Sequence, residues 1–163
     1  QAAGCLALGS DSRLSGRRDL LDELSDVAAR AELSSTALLA LVTTQAARIF
    51  RLGLRGGLAV GAPADLLIVR DRDGLAADSL VGLGRSDIRA VVREGLPCIA
   101  DPDFADWFAA TGVDTVAVRL DGRPKLIARS LVEPAVFALE PGLEVSFSDD
   151  ESEIDLAMEA RCH

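Results

Sequence analysis

Histidine occurs once in this 163-residue chain, as its last residue, His163. A Ser-His-Asp relay and a metal centre built from several histidines are both out of reach of these residues alone. Cysteine is nearly as scarce. Cys5, Cys98 and Cys162 are odd in number and far apart, with no C-x-x-C pair, which argues against a disulfide framework or a zinc-finger site. That usage predicts a reducing compartment, the cytoplasm, with Cys5 and Cys98 acting as small buried apolar residues. Cys162 and His163 would make a terminal metal pair, but they follow the acidic run "SDDESEIDLAMEA", which reads more simply as a solvated tail.

Lysine also occurs once, at Lys125, and 17 basic side chains face 26 acidic ones for a net charge of −9. That balance repels a polyanion, so nucleic acid is not an expected partner. Aromatic residues make up 4% of the chain, and Trp107 and Phe108 read as core anchors rather than a binding surface. No apolar stretch is long enough to cross a bilayer, and no basic segment leads into an apolar signal region, so no membrane is expected. G-x-G-x-x-G is absent, and the glycines of residues 53 to 61 lack the lysine of a phosphate-binding loop. "DRDG", residues 71 to 74, opens like a calcium loop, but the later ligand positions do not follow. There is no internal repeat.

What is present is an apolar content of 49%, ample for a core. Residues 4 to 9 are apolar without alternation, which suits a strand covered on both faces. Leu20, Leu21, Leu24, Val27, Ala28 and Ala31 then share one face of an amphipathic helix over residues 17 to 31. Ser34 or Ser35 caps a second helix with Leu38, Leu39, Leu41 and Val42, and Thr43 and Thr44 open a short third one that Gly53 ends. After Gly53 the pattern turns to strands. Residues 64 to 69 form one, "DIRAVVREGLPCIAD" forms two about Glu94-Gly95, and "DTVAVRLDGRPKLIARSLV" forms a hairpin about Asp121-Gly122, with a helix at residues 104 to 112 between them. The predicted organisation is a strand with helices over residues 1–53, a β-rich part over 54–147 and an acidic tail over 148–163. Gln1 at the start, methionine only at Met158, and a strand entered with no lead-in predict the C-terminal piece of a longer protein.

Asp11 is the residue that points to chemistry. It follows the first strand directly, where βα folds gather their active-site groups, and a carboxylate there binds a metal or serves as a general base. A turn or helix-cap aspartate is the competing reading. Asp65 opens a strand, where capping the preceding turn is its expected role.

The order of the pieces resembles a known family. A strand ending Gly9-Ser10-Asp11 precedes an acidic helix, then Thr43 or Thr44 with Ala46 and Ala47, then Gly57, Leu58, Gly61, Ala64, Asp65 and Leu66. Over about residues 4 to 70 this is similar to the C-terminal end of a metal-dependent amidohydrolase of the cytosine deaminase and chlorohydrolase-like branch. The resemblance implies an α/β fragment plus β: the last strand and helices of a TIM-type (β/α)8 barrel, followed by part of a urease-like β-sandwich. It implies hydrolysis of a C–N bond other than a peptide bond, by deamination or by opening a cyclic amide or amidine. It makes Asp11 the catalytic carboxylate and a ligand of a divalent metal (zinc, with iron or manganese as alternatives), with Ser10, Ser12 and Arg13 lining the adjacent substrate loop.

The family's early His-x-His pair is missing, and one carboxylate does not hold a zinc that normally takes three protein ligands. The expectation is therefore a fragment inactive alone, whose partners are a small-molecule substrate and the missing N-terminal barrel portion, with a homo-oligomer possible. A non-catalytic β-rich binding module, or a complementing subunit of a split enzyme, stands as the alternative. In a split enzyme Leu20, Leu24, Val27, Leu38 and Leu41 would form an apolar face needing a partner.

Overall fold

A computed structural model describes residues 6–11, 16–30, 33–70, 76–133 and 140–145. Within them the chain is mixed α/β, with short helices and one six-stranded antiparallel sheet.

The helices come first. The Asp19 carboxylate opens α1 (Leu20–Arg30) by accepting from the Leu21 and Asp22 N–H groups at 3.0 and 3.1 Å. Ser34 caps α2 (Ser35–Val42), its hydroxyl accepting from the Ala37 N–H at 3.2 Å. In α3 (Thr44–Ile49), Thr43 stands at the N-cap but supplies no side-chain cap. Its hydroxyl donates back to the Leu39 carbonyl at 2.7 Å, closing α2 instead. The end of α3 also corrects the reading at Gly53. Arg51 takes the left-handed position (φ 55°), where its N–H reaches the Arg48 carbonyl at 3.2 Å and Leu52 N–H reaches Ala47 at 2.9 Å. This paired closure satisfies the last helical carbonyls, which favours it even with a non-glycine residue in the left-handed position.

Leu24, Leu38 and Leu41 are buried against one another. The partner their face requires is supplied from within the chain. Leu8 packs on them from before α1, and Leu80 and Val81 from α4 (Ala76–Leu80) and its end. Of the five apolar residues expected to need an outside partner, only Leu20 is exposed. Leu38 is 1% accessible, so Leu38→Ala is expected to cost about 2–5 kcal/mol. A lower urea midpoint at unchanged slope would report it.

The sheet holds β1 (Leu66–Val69), β2 (Ile88–Arg93), β3 (Leu96–Ala100), β4 (Thr115–Leu120), β5 (Arg123–Ala128) and β6 (Leu143–Val145), in spatial order β1-β2-β3-β5-β4-β6. Both expected hairpins form. Glu94 and Gly95 have φ of 52° and 84°, Asp121 and Gly122 of 48° and 77°, so each loop has both central residues left-handed, as the strand twist favours. β3 and β4 each pair antiparallel to β5, hence run parallel with β5 between them, and α5 (Ala105–Thr111) makes the crossing. Phe108 of α5 is 2% accessible and seats on Ala90, Ala100 and Ala128 of β2, β3 and β5. Three methyl side chains in adjacent strands leave room for one ring, a large-against-small match that fills the space without strain.

Two expectations are corrected. Residues 6–11 belong to no β-ladder; a strand needs a neighbour, and the described residues offer none at that place. Cys98 is only half-buried, unlike its β3 neighbours Pro97 and Ala100. Cys5, Met158, Cys162, His163, "DRDG" and the acidic tail lie outside the described residues. No helix among the described residues is long and apolar enough to cross a membrane.

Candidate functional site

The stretch leading to Asp11 is anchored by one backbone bond and one side chain. Leu8 N–H donates to the Leu41 carbonyl at 3.2 Å, and the Leu8 side chain joins the leucine core of α1 and α2. Ser10 is half-buried and Asp11 is exposed. Asp11 has φ 49°, a left-handed conformation that aspartate and asparagine tolerate better than most non-glycine residues. Gly16 lies against Ser10. A Cβ on Gly16 would stand 2.3 Å from the Ser10 carbonyl oxygen and 2.8 Å from the Glu23 carboxylate, so only glycine fits there. Glu23 meanwhile accepts from the Arg17 N–H at 2.5 Å. Asp11 thus follows a segment that α2 holds through Leu8 and that Gly16, just before α1, meets at Ser10.

Ser10 and Asp11 are placed together by adjacency. Ser12 and Arg13 lie outside the described residues. Two open clefts, of about 360 and 370 Å³, are lined by other residues, and Asp11 borders neither. No group of three His, Cys, Asp or Glu able to hold a metal ion occurs among the described residues. Asp11 by itself does not fit a resident metal, which would require ligands from elsewhere.

Comparison with protein-family models, curated proteins and solved structures finds no match to this chain.

The glycine-rich stretch before β1 packs closely on α3. Gly56 (φ 85°) sits so close to α3 that a Cβ would lie 2.7 Å from both the Thr43 carbonyl oxygen and the Ala47 Cβ. The small residues after α2 and the glycines before β1 are thus two sides of one tight contact. Asp65 acts one strand further on than expected. It accepts from the Glu94 N–H at 2.9 Å in the β2–β3 turn and pairs with Arg55, which also reaches Glu94 at 2.6 Å. The bond from Glu94, partly opposed by desolvation and reinforced by Arg55, holds the Asp65 carboxyl below the usual carboxylate range.

A second cluster was not anticipated from sequence. Lys125 on β5 is 2% accessible, and its ammonium donates to Asp101 at 2.5 Å and to the Ile88 carbonyl. Asp101, 5% accessible, also accepts from Arg70 at 2.7 Å and from Arg89 Nε at 3.2 Å. Burial acts to raise the Asp101 carboxyl, but Lys125, then Arg89 and Arg70, outweigh it and hold the group below its ordinary value. Alternation along β5 gave no signal for it, because it places Lys125 on the face of Arg123 and Ile127, opposite the Leu126 and Ala128 that pack with Phe108.

Proposed function

We propose that the chain is the C-terminal part of a hydrolase acting on non-peptide C–N bonds in small molecules, with Asp11 as its proton-transferring carboxylate. The observation that carries this reading is Asp11 itself: an exposed residue with left-handed backbone (φ 49°), next to a segment held by Leu8 on α2 and by Gly16 against Ser10. An accessible carboxylate can take a proton from an attacking water and return it to the leaving nitrogen. The order of the pieces supports it, as the end of a (β/α)8 barrel leading into a sandwich domain. So does a run of exposed apolar residues, Phe50, Leu52, Leu54, Leu58 and Val60, that fits cover by an N-terminal barrel portion. A divalent metal (zinc, iron or manganese) belongs to the reading as a group whose other ligands come from that portion, and the chain alone is inactive.

The test is to express the gene with its upstream coding sequence and assay aminated heterocycles and cyclic amides for C–N hydrolysis, with metal analysis of the same sample. Turnover in a metal-loaded protein is the expected result. A full-length protein without a His-x-His pair, metal or turnover would leave the chain a binding module.

A further inference from the structure

Arg70, Arg89 and Arg123 converge on one open cleft of about 360 Å³, whose remaining lining is Asp101, Pro102, Asp103 and Pro124. Arg70 directly follows β1, Arg89 lies near the start of β2, and Arg123 begins β5, so one end of the sheet gathers all three. Lys125 lies behind them on Asp101. Four cationic side chains therefore face two carboxylates, a net of +2 in a chain of −9.

The carboxylates do not exhaust the donors. Asp101 takes one Nη of Arg70 and Nε of Arg89, and Asp103 takes an Nη of Arg89. The Arg89 guanidinium also lies over the Phe104 ring, 4.9 Å from its centroid. Arg70, whose side chain is 39% accessible, bonds Asp101 through one Nη, and Arg123, which is exposed, makes no ion pair among the described residues. Guanidinium forks of this kind match the paired oxygens of an oxyanion.

Charge selects the oxyanion. A single carboxylate would answer only half of the surplus, whereas a phosphate group carries about −1.5 to −2 at pH 7 and offers three acceptor oxygens. The acidic remainder of the surface does not prevent this. Exposed charges are screened beyond about 8 Å at physiological ionic strength, while the guanidinium groups would touch the ligand. The cleft volume lies within the range of small-molecule sites.

We propose that this cleft binds the dianionic phosphate group of a small molecule, with Arg123 and Arg70 as principal donors and Asp101–Lys125 holding them in position. The site is separate from Asp11 and does not depend on hydrolysis. Calorimetric titration of the full chain with inorganic phosphate and with phenyl phosphate, at constant ionic strength, tests it. Saturable binding is expected, weakened at least about tenfold by Arg123→Gln, which removes a charged donor without touching the core. Tighter binding of phenyl phosphate identifies an organic phosphate ester as the ligand class; equal binding identifies free phosphate. Either result sustains the site. Absence of saturable binding by both probes, or equal affinity in the folded Arg123→Gln protein, overturns it.

Discussion

Asp11→Asn in the full-length protein is expected to lower kcat/KM for C–N hydrolysis by about 10²–10⁴-fold, the usual worth of a positioned acid–base group. Asparagine is the informative replacement because the backbone here has φ 49°. Asparagine tolerates that region much as aspartate does, so the turn survives and only the proton-accepting charge is lost. Alanine would add backbone strain and confuse the two effects. The residue is exposed, so the fold is expected to survive the change. Thermal melting and turnover measured on one preparation separate the possibilities. Unchanged turnover in a folded Asp11→Asn protein would reduce Asp11 to a turn residue and remove the basis of the hydrolase reading.

The second large effect lies at the buried charges. Asp101→Asn leaves the Lys125 ammonium, 2% accessible, with no opposing charge and only neutral acceptors, and is expected to destabilise by about 3–5 kcal/mol at pH 7. Lys125→Met should cost less, about 1–3 kcal/mol, because Asp101 keeps Arg70 and Arg89 as partners. The ranking follows from which ion is stranded.

The pH dependence has a definite sign. The Asp101 carboxyl is held below its ordinary value in the folded state, since the bonds from Lys125, Arg89 and Arg70 outweigh the upward push of burial. Its contribution is fully present above the unfolded value of about 4 and is lost as pH falls through the lower folded value. The stability gap between wild type and Asp101→Asn, read from urea melts, should therefore be large at neutral pH and shrink in strong acid. A gap that stays constant on acidification would mean that packing, rather than the ionised pair, accounts for the loss.

Much of the local structure was legible because it depends on near neighbours. Ser34 had a helix to cap, and its hydroxyl meets the Ala37 N–H three residues on. Glu94-Gly95 and Asp121-Gly122 turn where they do because Gly95 and Gly122 take positive φ freely and Asp121 tolerates it, while Glu94 is held there with its N–H on Asp65. Arg51 was missed for the opposite reason. The helix closure it completes is driven by two backbone bonds, and composition points to the glycine two residues later.

Of the candidate site, the sequence by itself determined the position of Asp11 after an apolar run and before an amphipathic helix, both patterns being set by residues within a few places of one another. Only the tertiary structure decided how Leu8, Leu80 and Val81 cover the helical leucines, and that β5 enters between β3 and β4. It alone brought Arg70, Arg89, Asp101 and Arg123, spread over more than fifty positions, around Lys125. Turns and caps are closed by hydrogen bonds within a few residues. The placement of a buried charge depends instead on which distant strand ends exclude water together, and periodicity along one chain carries no record of that.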